Sequence, residues 1–384
     1  MGVHGRFHAF ELAKALWGRG EDVTLFTNYP AFALKRFGVN SAQAKTFPIH
    51  GVLVRLRGRL DPHLRWSGLD AMLHRMFGRW LRRGITARQW DVSYTWSGVS
   101  EELLRAPRCA KVRLLVRGSA HIRTQLRLLT EEQERTGAPQ EKPHAWTVAR
   151  EEREYGLADA VVNLSTFSRQ SFLEEGVAAS RVKLMVAGAP VKNFRATSKT
   201  IEERCRRITS QSPLQVLTVG TFSYRKGVQD LARIAEALPR DRFVFRFVGT
   251  VAREAAGLAQ QLGARVEFMP RLDQADLPVQ YAWGDLFLFP TIEDGFPQVM
   301  AQSSAAGLPQ LTTPNGAGTD LVRDGVNGWV LPIRSPERFI EKLRWCDAHR
   351  EELAAMVRRC ASSPIRDWSD AAEDLVTIVG EMHT

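Results

Sequence analysis

The chain has 384 residues, enough for two domains of ordinary size, and its 44% apolar and 25% charged residues are those of a soluble globular protein. No apolar run approaches the roughly 20 residues of a spanning helix, and Met1 to Leu12 carries His4, Arg6, His8 and Glu11 where a secretory signal would be apolar, so a cytosolic location is expected. Cys109, Cys205, Cys346 and Cys360 have no C-x-x-C spacing, which argues against a zinc site or a disulfide framework, and the net charge of +11 comes without a nucleic-acid motif.

The chain opens on Gly2 and Gly5, read as a glycine loop facing an interdomain cleft. A helical pattern follows at Phe7, Phe10, Ala13, Leu16 and Trp17, stopped by Gly18 and Gly20, and Asp22 to Thr27 is a strand. A doubly wound domain normally begins with a strand that feeds such a glycine turn. Here that first strand is missing, which would leave unpaired backbone groups near the sheet centre. Either the true start lies upstream or another strand fills the gap.

The positive charge is concentrated early. Residues 1–195 hold 31 Lys and Arg against 18 Asp and Glu, and the remainder 22 against 24. Between Val52 and Trp90 lie nine arginines (Arg55, Arg57, Arg59, Arg65, Arg75, Arg79, Arg82, Arg83, Arg88) against Asp61 and Asp70, interleaved with Leu64, Trp66, Leu69, Met72, Leu73, Met76, Phe77, Trp80, Leu81 and Trp90. A basic amphipathic segment of this kind, Arg55 to Trp90, suits an anionic membrane surface with its tryptophans at headgroup depth, or a helix with its apolar face on the core and its arginines solvated.

Val52 to Leu56, Val92 to Trp96, Val112 to Val116, Ala160 to Leu164 and Val182 to Val186 have strand character, and helical patterns such as Glu101 to Leu104, Thr147 to Leu157 and Ser168 to Glu175 separate most of them. The alternation predicts a parallel sheet covered on both faces. Arg117 to His121 follows one strand directly, where side chains face a ligand crevice. Glu151 to Glu154 reads as a solvated helix face. The pattern breaks after Pro190, and Val191 to Ser212 reads as a polar connection between domains.

A second alternating unit begins at Val216 to Val219 and continues with strands at Phe243 to Val248, Val266 to Met269, Leu286 to Phe289, Gln310 to Thr312 and Gly328 to Leu331. The expected architecture is α/β, with two Rossmann-like domains facing across a cleft. Their bounds are 1–195 and 196–365, and residues 366–384 cross back to the first. Between the unit's first strand and first helix, Gly220 to Gly227 carries Arg225 and Lys226, adjacent cations that suit a diphosphate leaving group. After Phe289 and Pro290 a polar turn holds Glu293 and Asp294, and Gly295 leads into a helix from Gln298 to Ala306. A carboxylate there can take sugar hydroxyls while first-turn N–H groups take phosphate oxygens.

These motifs in this order resemble the family-4 retaining glycosyltransferases of the GT-B fold. The likeness rests on the glycine loop and helix to Leu16, Arg117 to His121, Glu154-Tyr155 before Ala158-Asp159, Gly220 to Gly227, Tyr281 to Pro290, Asp294 to Gln302, Gly307 to Pro309 and Asp324 to Gly328. It implies a nucleotide diphosphate-sugar donor on the second domain and a saccharide or lipid-linked acceptor on the first. A role in cell-surface polysaccharide or glycolipid synthesis is expected, and peripheral work on the inner membrane face is expected from the arginine and tryptophan segment alone. Arg225 and Lys226 match the donor-diphosphate cations, Asp294 the acid near the donor sugar, and Gln302 the residue on the ribose hydroxyls. Backbone N–H groups of Gly295, Phe296 and Gln298, with Pro297 between them, flank the phosphates, and His121 matches a cleft histidine.

Two departures stand out. The family's motif has two glutamates eight positions apart, where this chain has Asp294 and Gln302, and no arginine follows Gly220 directly. With no Asp-x-Asp motif, a metal-independent reaction without a further cofactor is expected, and the resemblance implies front-face transfer. The departures also leave room for a non-catalytic sugar-nucleotide binder or a GT-B sugar-nucleotide epimerase.

Overall fold

A computed structural model of the chain describes residues 1–59 and 67–383. The apolar runs pair into two fully parallel sheets. The first contains β1 (Gly2–Val3), β2 (Leu25–Thr27), β3 (Ala44–Thr46), β4 (Trp90–Trp96), β5 (Ala110–Arg117), β6 (Ala160–Asn163) and β7 (Val182–Leu184), in the order β3-β2-β1-β4-β5-β6-β7. The second contains β8 (Leu214–Phe222), β9 (Phe243–Val251), β10 (Val266–Met269), β11 (Leu286–Phe289), β12 (Gln310–Thr312) and β13 (Gly328–Val330), in the order β10-β9-β8-β11-β12-β13. Helices cover both faces, which is why β11 reads as four consecutive apolar residues, all buried, rather than as an alternation.

Three sequence expectations change. The first strand is present, reduced to Gly2 and Val3 at the sheet centre. Gly2 pairs with Phe26 of β2 and Thr95 of β4, and the Met1 amine donates to the Thr24 carbonyl at 2.8 Å. Gly2 is therefore a strand residue, and Gly5 alone sits in the turn that follows. Val52 to Leu56 is not a strand but lies within helix Pro48–Arg59, and the edge place in the sheet goes to β3, which has no apolar run. Pro48 opens that helix, where its missing N–H costs nothing. Third, Val191 to Ser212 is not a polar connection throughout. Helix Ser198–Thr209, capped by the Thr197 hydroxyl, buries Ile201, Arg204, Cys205 and Ile208 in the second domain.

Helix Ser67–Ile85 resolves the basic segment. Phe77, Leu81 and Ile85 are buried, Trp80 stacks on Phe47 at 5.2 Å, and the Trp90 indole donates to the Ile85 carbonyl, while Arg75, Arg79, Arg82 and Arg83 are exposed. Trp80 and Trp90 therefore face the core rather than an outer surface. Asp61, Leu64, Arg65 and Trp66 lie outside the described residues. The last helix, Trp368–His383, packs against helix Ala9–Gly18 and β5 of the first sheet.

Candidate functional site

In each sheet the chain starts in the middle, builds outward to one edge, and then returns to build the other side. The crevices are therefore between β1 and β4 in the first sheet and between β8 and β11 in the second. Ligands of open α/β sheets bind at such reversals, outside the carboxyl ends of the strands. The two crevices face each other across a cavity of about 540 Å³ lined by His4, His8, Trp96 and Arg117 from one side and by Arg225, Asp294, Phe296 and Gln298 from the other.

On the second-domain side, the turns after β8 and β11 lock together. Ile292 N–H donates to the Arg225 carbonyl at 3.0 Å, and Gly227, at φ 72°, stands where any Cβ would fall 1.8 Å from the Pro290 carbonyl oxygen. Only glycine lets the turns close this far, and the closure sets Lys226 against Asp294 in an ion pair. Burial lowers the Lys226 pKa, and the Asp294 carboxylate opposes that shift. Asp294 is held from behind by its N–H on the Asn315 carbonyl at 3.0 Å. Gly220 lies within β8, next to this turn.

Glu293 is not a second sugar-binding acid beside Asp294. It is fully buried and turned across the domain boundary, where it accepts from the Ser119 hydroxyl, from Ala120 N–H at 3.2 Å, from the Gln125 amide at 3.1 Å and from Arg225 Nε at 2.8 Å. Burial alone would raise its pKa. The Arg225 guanidinium, the Ser119 hydroxyl and Lys226 outweigh burial and hold it at about 2. Glu293 thus fixes Arg225 in the cleft and ties the loop after β11 to the loop after β5. Gly295 makes the same junction by contact, since a Cβ there would stand 2.1 Å from the Gly118 carbonyl oxygen.

Helix Gln298–Ala305 starts directly after this loop, with Phe296 and Gln298 on the cleft and Pro297 as its N-terminal flank. The Gln298 amide donates to the Gly188 carbonyl at 3.0 Å, joining the helix start to the segment between the domains. Gln302 lies one turn further in, buried, with its carbonyl accepting from the Tyr281 hydroxyl at 2.9 Å.

His121 is not brought into the cleft. It caps helix Ile122–Thr136 by accepting from Arg123 N–H at 3.3 Å, packs on the rings of Tyr155 and Phe172, and borders a separate cavity with Arg123, Glu152 and Glu175. A residue that begins a helix after β5 points its side chain back at its own first turn, which is what turns the imidazole away. His121→Ala should therefore leave turnover within about threefold of wild type and cost on the order of 1 kcal/mol of stability, read by initial rates and by denaturant midpoint.

The cleft histidines are others. His8 lies parallel to Trp368 at 5.4 Å and 4.8 Å from Trp96, and His74 stacks on Trp146 at 5.7 Å. Burial holds His4 and His8 at about 3 and lowers His74 as well. All three are neutral at physiological pH. The buried Nε2 of His4 and of His8 and the buried Nδ1 of His74 have no partner among the described residues. Neutral nitrogens and aromatic faces suit hydroxylated rings. The sequence signal was present in His4 and His8 flanking the turn at the start of the first helix.

Glu151 and Glu154 are also corrected, since neither is on a solvated face. Glu154 is fully buried and accepts from the N–H groups of Gly98, Ser100 and Glu101, fixing the loop after β4. Glu151 pairs with Arg117 at 2.9 Å and accepts from the Tyr155 hydroxyl. Both shape the cleft wall from behind.

Comparison with known proteins agrees with this arrangement. Residues 213–347, which carry β8 to β13, match the sequence model of the family described as glycosyl transferases group 1. A D-inositol 3-phosphate glycosyltransferase of Xylanimonas cellulosilytica is 25% identical over 248 residues, covering 60% of this chain and 59% of the relative. Spore coat protein SA of Bacillus subtilis is 24% identical over 57% of this chain and 64% of its own length. The chain thus spans a little under two thirds of these curated relatives. Among solved structures, Anabaena Alr3699/HepE in complex with UDP superposes with a TM-score of 0.67 at 15% identity, covering 99% of this chain and 98% of that one. WaaG, a glycosyltransferase involved in lipopolysaccharide biosynthesis, superposes with a TM-score of 0.65 at 17% identity, covering 98% of each. Residues 213–347 thus resemble the group 1 glycosyl transferases, and the chain has the two-domain GT-B fold of these solved structures.

Proposed function

We propose that this chain transfers a sugar, with retention of anomeric configuration in the manner of family 4, from a nucleotide diphosphate-sugar to a saccharide or lipid-linked acceptor. The acceptor would be met at the inner face of a membrane, in the making of a cell-surface polysaccharide or glycolipid. The observation that carries this reading is the meeting of Arg225, Lys226 and Asp294 at the reversal of the second sheet, opposite a wall on the first that carries the neutral rings of His4 and His8 beside Trp96. Diphosphate oxygens would take Lys226 from Asp294 and share Arg225 with Glu293, which frees the Asp294 carboxylate for sugar hydroxyls. As the bond from C1 to the phosphate oxygen breaks, negative charge gathers where two fixed cations and the first turn of helix Gln298–Ala305 lie. The acceptor oxygen bonds to C1 on the same face, and its proton passes to the departing phosphate. Gln302 would donate its amide N–H to the ribose.

The test is release of nucleoside diphosphate from a panel of nucleotide-sugars in the presence of candidate acceptors. Turnover should persist within about twofold after exhaustive treatment with EDTA, because the positive charge at the leaving group is supplied by side chains. Loss of activity restored by Mg²⁺ or Mn²⁺ would overturn the metal-free part. A second reading, a sugar-nucleotide binder without turnover, is favoured by the engagement of the Gln302 carbonyl with Tyr281. Tight donor binding with no release from any donor would establish it, and sugar interconversion without an acceptor would point instead to an epimerase.

A further inference from the structure

A surface helix ordinarily buries its apolar stripe and turns its polar face to water. Helix Pro48–Arg59 does the reverse. Ile49, Val52, Leu53 and Leu56, at the i, i+3, i+4, i+7 spacing of a single face, are 69, 54, 37 and 51% exposed. The inner face is held by polar contacts instead. His50 is fully buried, with one ring nitrogen 3.3 Å from the Asn28 amide and the other 3.1 Å from the Leu73 carbonyl, and Arg57 pairs with Asp70 at 3.1 Å. Rotating the stripe inward would break all three contacts and bring His50 to the surface, so the outward orientation is built in.

The surroundings of the stripe are basic. Arg55 is exposed on the same helix, and the adjacent helix Ser67–Ile85 exposes Met72 together with Arg75, Arg79, Arg82 and Arg83. Among the described residues of these two helices Asp70 is the one acid, and Arg57 neutralises it. The same hairpin backs the cleft. The His50 ring is 5.1 Å from that of His4, and both His4 and His74 line the cavity. An aliphatic stripe with Arg55 on its own helix and further exposed arginines on the adjacent helix thus lies on the outer side of the wall whose inner side faces the acceptor half.

We propose that the stripe Ile49, Val52, Leu53 and Leu56 seats among the headgroups of an anionic bilayer, with the flanking arginines on lipid phosphates, so that a membrane-borne acceptor enters the cleft beside His4 and His74. This deepens the proposed function and rests on it for the acceptor; the docking itself does not. Aliphatic side chains without hydrogen-bonding groups offer non-directional burial, and neighbouring charge of one sign matches a phospholipid surface. The seat is this aliphatic stripe and not Trp80 or Trp90, which are packed inward.

The experiment is flotation of the full chain with phosphatidylcholine vesicles, with and without phosphatidylglycerol, against the variant carrying Ile49→Glu, Leu53→Glu and Leu56→Glu. All three positions are exposed, so the melting temperature should hold. Wild type should float with anionic vesicles, and the variant should lose at least about tenfold in partitioning. Release of nucleoside diphosphate with a soluble acceptor should be equal in the two proteins. Flotation without turnover in either protein would sink the transferase reading and leave the docking standing. Wild type that stays unbound, or a variant that floats as wild type does, overturns the docking. A dimer that the triple substitution dissociates, with no flotation, assigns the stripe to a second copy of the chain and overturns it too.

Discussion

Lys226→Ala should lower turnover by about 10²- to 10³-fold while leaving the melting temperature and the far-ultraviolet spectrum unchanged. The ammonium sits at the turn after β8, with Asp294 as its ion-pair partner. With Arg225 it is one of two cations in this turn, and no second lysine stands there to replace it. Its value is greatest when charge is largest, in the transition state, so the loss should fall on kcat more than on donor KM. The fold should survive because Asp294 remains held through its backbone on the Asn315 carbonyl and the loop remains tied by Glu293. Arginine at 226 should recover only part of the loss, since its planar fork does not reproduce a compact point charge at a turn closed this tightly. Full activity in Lys226→Ala would remove the turn after β8 from the donor site.

Arg204→Met should destabilise the protein by about 3–5 kcal/mol, measured as a shift in denaturant midpoint at unchanged slope. Arg204 is fully buried, and its guanidinium donates to four carbonyls, those of Gly284 at 2.7 Å, Ala306 at 2.7 Å, Tyr281 at 2.8 Å and Gly307 at 3.2 Å. It gathers the ends of helices Leu277–Trp283 and Gln298–Ala305 and the entry to β11 onto helix Ser198–Thr209. Burial lowers its pKa to about 10, which leaves it charged at neutral pH. Methionine fills similar volume but leaves four buried acceptors without a donor, each a substantial penalty. Because Tyr281 also carries the bond to Gln302, donor KM should rise in the same variant. A shift below about 1 kcal/mol would mean that water or a local rearrangement satisfies those carbonyls, contrary to the role assigned to this side chain.

Much of the second domain's side of the cleft was legible because its chemistry is local. Arg225 and Lys226 precede a glycine at a strand-to-helix turn, Asp294 follows an unbroken apolar strand, and parallel pairing of those strands brings both turns to one end of the sheet. The fold class was equally open to reading, since buried parallel strands are continuous apolar runs and need no partner to be recognised. The first domain's side was less so. Glu154 and Glu151 lie in a stretch of alternating charge that describes a solvated helix equally well, and only the loop after β4 and Arg117 show that both are enclosed. Arg204 failed for the same reason. Its helix is too charged to look like part of a core, and four carbonyls supplied by distant residues are what satisfy it.

Glu293 and Asp294 give the sharpest contrast. As neighbours in sequence they are interchangeable acids; in the structure one is a bolt between domains and the other faces the cleft, because successive residues of a turn point in opposite directions. His121 and His8 exchange roles likewise, the first folded back as a helix cap and the second set between two tryptophans that are 272 positions apart. By itself the sequence determined the two parallel sheets, the cationic turn and the acidic turn opposite it, all set by periodicity and by strand-end geometry. The tertiary structure decided which carboxylate is spent on the interface, which histidines see the cleft, and that helix Pro48–Arg59 turns its apolar stripe outward. Each of those depends on contacts between residues far apart in the chain, and no local pattern encodes them.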